Sequence, residues 1–219
     1  MAGETVVGVD VGGTKILAGV VARDGTIGRT IEVPTPADDA TAIIAAIDAV
    51  VGDLLGDGAA AVGLGVPMNL DPVTGIAYHG VNLALENVDV AGRLRQSFGL
   101  PVGIENDANA AALAEWRLGA GVGVQTLVLF TLGTGVGGGI VLDGRLYRGW
   151  AELGHVVVDA DGAPCQGSCH GHGHLESVAS GHAADRAARA LYGEGADAHE
   201  LVRRARVWNA VVGTAVPVD

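Results

Sequence analysis

Four short segments of this chain carry residue types and spacings that could do chemistry. The first is Asp10-Val11-Gly12-Gly13-Thr14-Lys15. Glycines at a hairpin tip let consecutive backbone N–H groups converge on one point, which suits a phosphate oxygen, and the Thr14 hydroxyl adds a donor. The Asp10 carboxylate, at the strand end, could hold a hydrated metal ion. Gly-Gly also makes an ordinary hairpin tip. Lys15 favours the phosphate reading, because it is the one lysine in a chain whose other basic residues are all Arg. The second segment is Leu132-Gly133-Thr134-Gly135-Val136-Gly137-Gly138-Gly139. Glycine costs a regular element about 0.5–1 kcal/mol relative to Ala, so such a run implies a backbone requirement. A loop pressed against phosphates would supply one, as would a hinge or bulge.

The third is Glu105-Asn106-Asp107-Ala108-Asn109 ahead of an Ala-rich helix. Asn and Asp there are good helix caps, and a carboxylate at a strand-to-helix junction could also take a proton from an alcohol attacking a phosphoryl group. The fourth runs from Trp150-Ala151-Glu152-Leu153-Gly154-His155 to the segment Cys165 to Glu176. Both cysteines and four of the seven histidines lie between His155 and His174. Thiolate and imidazole together favour zinc, and His155, Cys165, Cys169 and His174 would complete a tetrahedral Zn2+ site, with His170 and His172 as rival ligands.

Elements must position these groups. Thr5 to Val11 alternates as a strand, stops at the first glycine pair and resumes at Ile16 to Val21, a hairpin whose tip is expected to need unusual backbone angles. A strand at 27–33 follows. Ala40 to Leu55 places Ile43, Ile44, Ile47, Val50, Val51 and Leu54 at helical spacing. Further elements are a strand at 60–66, a loop holding Asn69, Asp71 and Gly75, a helix at 90–98, a strand at 101–105 and a helix at 107–118. Strand, glycine turn and strand then recur at 126–142, and two or three helices occupy 175–207. A restarted plan predicts a duplicated α/β architecture with a cleft between halves. The expected domains are 1–117 and 118–219. Each glycine loop leads into a strand, which disfavours a Rossmann or Walker arrangement.

Composition limits the function. Hydrophobic residues make up 49% and charged residues 17%, enough apolar surface for a folded core. Thirteen basic against twenty-five acidic residues give −12, a field that repels phosphate backbones and anionic lipid, so neither nucleic acid nor membrane is an expected partner. Leu118 to Leu142 is uncharged and long enough to span a bilayer, but its glycines make two buried strands around a turn the better reading. Two cysteines make no disulfide framework, and the start lacks a signal-peptide pattern, which places the chain in the cytoplasm.

In this order the motifs resemble the ROK family of bacterial sugar kinases and repressors, its glucokinases above all, from Val6 to about Gly181. The resemblance implies an actin-like, ribonuclease-H-like pair of domains that bring a hexose, expected to be glucose, together with ATP and Mg2+. It also implies roles: Gly12, Gly13, Thr14 and Lys15 in the first phosphate loop with Asp10 beside it, and Gly133, Thr134, Gly135 and Gly137 in the second. Asp107 is implied as general base for the 6-hydroxyl, with Asn82, Asn106, Glu152, His155 and Glu176 around the sugar. His155 would use one ring nitrogen for zinc and the other for a sugar hydroxyl. The expected assembly is a homodimer. The pattern departs from the family at Cys165-x3-Cys169-x4-His174, where Cys-x-Cys-x4-Cys is usual. It departs also at the end, where the family continues, so an incomplete second domain with little kinase activity is the alternative expectation, and Val211, Val212 and Val216 would then be exposed. A repressor without its DNA-binding domain is the other alternative.

Overall fold

Alternation of valines drives the first strand, β1 (Thr5–Val11), whose Val7, Val9 and Val11 are buried on one face. The computed structural model describes residues 5–56, 58–71, 74–80, 83–149, 151–167 and 169–212, without the side chains of 79 and 207–212. The chain divides into two compact units, Met1–Leu129 with Gly139–Gly149, and Phe130–Gly138 with Trp150–Asp219.

In the first unit β1 turns back into β2 (Lys15–Ala22) and β3 (Ile27–Pro34), an antiparallel meander. Helix α1 (Ala40–Leu55) then carries the chain to β4 (Val62–Val66), which lies parallel to β1 with Val7 opposite Val62. Helix α2 (Val90–Phe98) leads to β7 (Val102–Asn106), parallel to β4, and the sheet order is β3-β2-β1-β4-β7. All six apolar residues expected on the inner face of α1 are buried. Burying each contributes about 1.5–3 kcal/mol, which outweighs the modest helix propensity of so many β-branched residues. The start of α1 is fixed by Asp39, whose carboxylate accepts the N–H groups of Thr41 and Ala42 at 2.8 and 3.2 Å. Asp89 does the same for α2 through Gly92 N–H at 2.7 Å, and Gly99, at φ 66°, ends it.

Two expectations fail in this unit. The loop after Pro67 contains a small hairpin, β5 (Met68–Leu70) with β6 (Ala77–Gly80). Strands of three and four residues are too short for a hydrophobic period to show. At the Gly12-Gly13 tip neither glycine takes a positive φ. The tip is held instead by hydrogen bonds: Gly12 N–H to Lys15 C=O (2.9 Å), Thr35 N–H to Thr14 C=O (3.0 Å) and Thr35 Oγ1 to Gly12 C=O (2.7 Å).

Strands β8 (Leu127–Leu132) and β9 (Val136–Leu142), with β10 (Arg145–Leu146), form a three-stranded sheet in the order β10-β9-β8. A strand hairpin thus replaces the transmembrane alternative, and among the described residues no helix is long and apolar enough to cross a membrane. The second glycine run is divided: only Gly133–Gly135 form the turn, while Gly137 to Gly139 lie inside β9. Gly139 fits there because a methyl group would lie 2.6 Å from the Ala112 Cβ. Both strands were expected to be buried. Val136 and Val141 of β9 are, but β8 is an outer strand whose Val128, Phe130 and Leu132 are 53, 46 and 69% exposed on one face.

The second unit continues through a 3-10 turn (Leu153–His155) and an irregular segment to α4 (Glu176–Ala179), α5 (Gly181–Tyr192) and α6 (Ala198–Val212). Helix α6 runs past Val207, where the sequence pattern fades. The side chains of Val211 and Val212, and all of Val216, lie outside the described residues.

Candidate active site and metal centre

In the first unit the carboxyl ends of three parallel strands align Asp10 of β1, Gly65 of β4 and Glu105 of β7 in one row. Open α/β sheets bind ligands at such strand ends. Past Glu105, Asn106 closes the strand and caps helix α3 (Asp107–Leu118), its Oδ1 accepting the Asn109 N–H at 3.1 Å. Asp107 is thus the first helical residue, exposed, with Oδ1 on the N–H of Ala108 at 2.8 Å. Partial loss of hydration raises the pKa of Asp10, the Asp107 carboxylate raises it further, and Lys15 lowers it. Two acids close enough to repel make a place for a hydrated cation.

Glu105 ties the junction together. One oxygen accepts Asn106 N–H (3.1 Å) and Asn109 Nδ2–H (3.2 Å), and the other accepts Arg148 Nε–H at 2.8 Å. Its side chain is 18% exposed, so this pair is less screened than a surface one. Lys15 donates to Glu32 at 2.8 Å across β2 and β3, both side chains exposed. An exposed pair of this kind is worth at most about 1 kcal/mol and gives way readily to another anion.

In the second unit His155, Cys165, Cys169 and His174 bring one ligand atom each within 4.8 Å of one another. The two Nδ1 atoms are 3.1 Å apart, and Cys165 Sγ to His155 Nδ1 and Cys169 Sγ to His174 Nδ1 are both 3.6 Å. Tetrahedral zinc with Zn–N and Zn–S bonds of about 2.05 and 2.3 Å has N···N and N···S edges of about 3.3 and 3.6 Å. The four side chains therefore fit that ion. Burial raises the Cys165 thiol pKa, and the neighbouring Cys169 and Glu176 push the same way. A bound cation would reverse that logic. His170 and His172 are exposed and outside the group. The segment owes its shape to backbone pairing, Cys165 N–H to Gly171 C=O and Gly173 N–H to Ala163 C=O, both 2.9 Å. Gly173, at φ 62°, leaves no room for a Cβ beside the Asp159 carbonyl.

The same unit holds the second glycine turn. Gly133 N–H bonds Gly135 C=O at 3.0 Å, and Val136 N–H bonds Glu176 Oε2 at 2.8 Å. Glu152 is exposed just before the 3-10 turn that carries His155.

Of the residues singled out in the sequence, Asp10, Gly12, Gly13, Thr14, Lys15, Asn106 and Asp107 belong to the first unit, and Gly133, Thr134, Gly135, Gly137, Glu152, His155, Cys165, Cys169, His174 and Glu176 to the second. Asn82 lies outside the described residues. Sequence reasoning missed Arg148, whose partner Glu105 stood in plain view in the third motif, and Thr35, which carries no pattern at all.

Comparison with known proteins completes the picture. The family model described as the ROK family matches residues 6–216. A glucokinase of Streptomyces coelicolor is 40% identical over 187 residues, covering 84% of this chain and 58% of that protein, so the chain spans less than two thirds of that relative. An N-acetylmannosamine kinase of Shigella flexneri is 35% identical over 92% of this chain and 69% of its own length. A ROK family glucokinase from Streptomyces griseus, solved with glucose and AMPPNP, superposes with a TM-score of 0.77 at 36% identity, covering 93% of this chain and 71% of that one. A ROK hexokinase from Thermus thermophilus gives 0.78 at 35% identity, with 95% and 71% covered. The shared fold is that of the actin-like ATPases. Motif order, strand-end carboxylates and these matches agree, and the chain belongs to the ROK family.

Proposed function

We propose that this chain carries the machinery of an ATP-dependent hexose kinase that phosphorylates the 6-hydroxyl, with glucose as the first substrate to test. The observation that carries the reading is the division of labour at the start of α3. Asn106 does the capping, so the Asp107 carboxylate is exposed beside Asp10 at the strand ends. In the reaction the sugar oxygen bonds to the γ-phosphorus, the bond from that phosphorus to the β,γ-bridging oxygen breaks, and the hydroxyl proton passes to Asp107. Glycines 12–13 and 133–135, with Thr14, Thr134 and Lys15, would supply donors to phosphate oxygens, and Gly137 would flank the second set. Mg2+ at Asp10 would neutralise phosphate charge. Asn82, Asn106, Glu152, His155 and Glu176 would bind sugar hydroxyls.

The Cys/His group would hold zinc, a closed structural ion in a four-ligand site. With Nδ1 of His155 turned to the group, Nε2 is left for a hydroxyl. A second copy of the chain is the expected partner. The relatives named above include kinases of glucose and of N-acetylmannosamine, so both sugars belong in the assay. ADP release dependent on glucose and abolished in Asp107→Asn would support the reading. Sugar binding without any ADP release would replace it with a binding function.

A further inference from the structure

The glycine turn of the second unit sits in a socket made by the residues that flank the metal group. Its carbonyls at Gly133 and Thr134 accept the N–H groups of Gly181 and His182, at 2.8 and 3.4 Å. Those are the first amides of α5, which a helix leaves without internal partners. The N–H of Val136 is taken by Glu176 Oε2 at 2.8 Å. On its other side the Val136 carbonyl packs so closely on Gly154 that a methyl group there would overlap it, and a methyl at Gly135 would overlap the Glu176 carboxylate. Gly154 precedes the ligand His155, and Glu176 follows the ligand His174 by two residues. Oε1 of Glu176 lies 4.0 Å from the Cys165 thiol.

We infer that Glu176, besides the sugar contact proposed above, has a positioning role, as a strut through which metal loading at His155, Cys165, Cys169 and His174 orders the glycine turn. The inference rests on the kinase reading only for its consequence, tighter binding of nucleotide phosphates. Locking His174 fixes the start of α4 and with it the carboxylate. The carboxylate then holds one N–H of the turn by a charge-assisted bond, about twice as strong as a neutral one. Glycine has the most conformational freedom to lose, so a turn containing Gly133 and Gly135 needs such outside restraint.

Amide hydrogen exchange at Val136 in the full chain, with and without removal of the metal by a chelator, tests this. In Glu176→Ala exchange should quicken about tenfold or more, while Glu176→Gln, which keeps an acceptor oxygen but not its charge, should fall between that variant and the parent. Chelation should quicken Val136 in the parent but add little in Glu176→Ala, because the path is already cut. Exchange in β4 serves as the internal standard. Unchanged Val136 exchange in Glu176→Ala, or a chelation effect of full size in that variant, would overturn the strut. Should Glu176→Ala not fold, Val136 exchange indifferent to chelation in the parent overturns it equally. Affinity for AMPPNP should fall in step with the loosened turn and recover in part in Glu176→Gln; unchanged affinity beside a loosened turn refutes the phosphate consequence. A parent chain that binds no AMPPNP sinks the kinase reading, and the exchange results still decide the strut.

Discussion

Asn106 and Asp107 are neighbours in sequence with different duties: the Asn106 Oδ1 accepts the Asn109 N–H at 3.1 Å and so caps the helix, and the Asp107 carboxylate is exposed at the helix start. Asp107→Asn should therefore lower turnover without the loss of stability that Asn106→Ala brings.

Asn106→Ala should cost about 1 kcal/mol of stability, the usual worth of a helix cap. Asp107→Asn should leave the melting temperature nearly unchanged but lower phosphorylation about 10²–10⁴-fold, since an amide keeps the shape and cannot take the proton. Thermal melts and a coupled ADP assay on the two variants check this. Near-parental turnover in Asp107→Asn would remove the base from the mechanism.

Asp10 gives a pH dependence. Its pKa is raised above 3.8 in the fold, first by lost hydration and then by Asp107. The native state therefore holds this proton more tightly than the unfolded chain does. The stabilisation is fully present below the ordinary value and is lost as pH rises through the raised one. At neutral pH the charged Asp10 is a cost to folding, so Asp10→Asn should melt higher than the parent at pH 7, with the difference shrinking in acid. A lower melting point at pH 7 would contradict the assignment.

Metal content should be about one zinc per chain in protein purified without a metal-affinity tag. Cys165→Ser with Cys169→Ser should lose it, whereas His170→Ala and His172→Ala should keep it, because those rings are exposed and outside the group. Elemental analysis decides, and zinc lost from either histidine variant would redraw the site.

The stripe Val128, Phe130 and Leu132 predicts self-association of this chain. Replacing Phe130 and Leu132 with Ser should lower the weight-average mass seen by light scattering at high concentration. An unchanged mass would show that the stripe makes no contact.

Legibility in the sequence followed the range of the interactions. Helices α1 and α3 lie where the spacing of Ile43 to Leu54 and the cap residues Asn106 and Asp107 put them, since caps and i, i+4 spacing act within a few residues. The Cys/His group was legible because few other uses exist for thiols and imidazoles among glycines. The bond from Glu176 to Val136 spans forty residues and left no local mark. Gly137 and Gly138 were misread as loop because composition alone does not separate a glycine that bends from one that makes room within a strand, as the neighbouring Gly139 does beside Ala112.

The order β3-β2-β1-β4-β7 also sets a timetable for folding. The meander of residues 5–34 can close through neighbouring contacts, but β1 reaches its parallel partner only across α1, and β4 only across α2. Such pairings carry a loop-closure cost before any contact rewards it. A nascent chain will therefore hold β1 with one edge unpaired until Val62–Val66 has been made, and β4 in turn with one edge unpaired until Val102–Asn106 follows. Substitutions that loosen α1, such as Ile47→Ala, should lengthen that interval, and the yield of folded protein should fall more steeply than equilibrium stability alone would dictate.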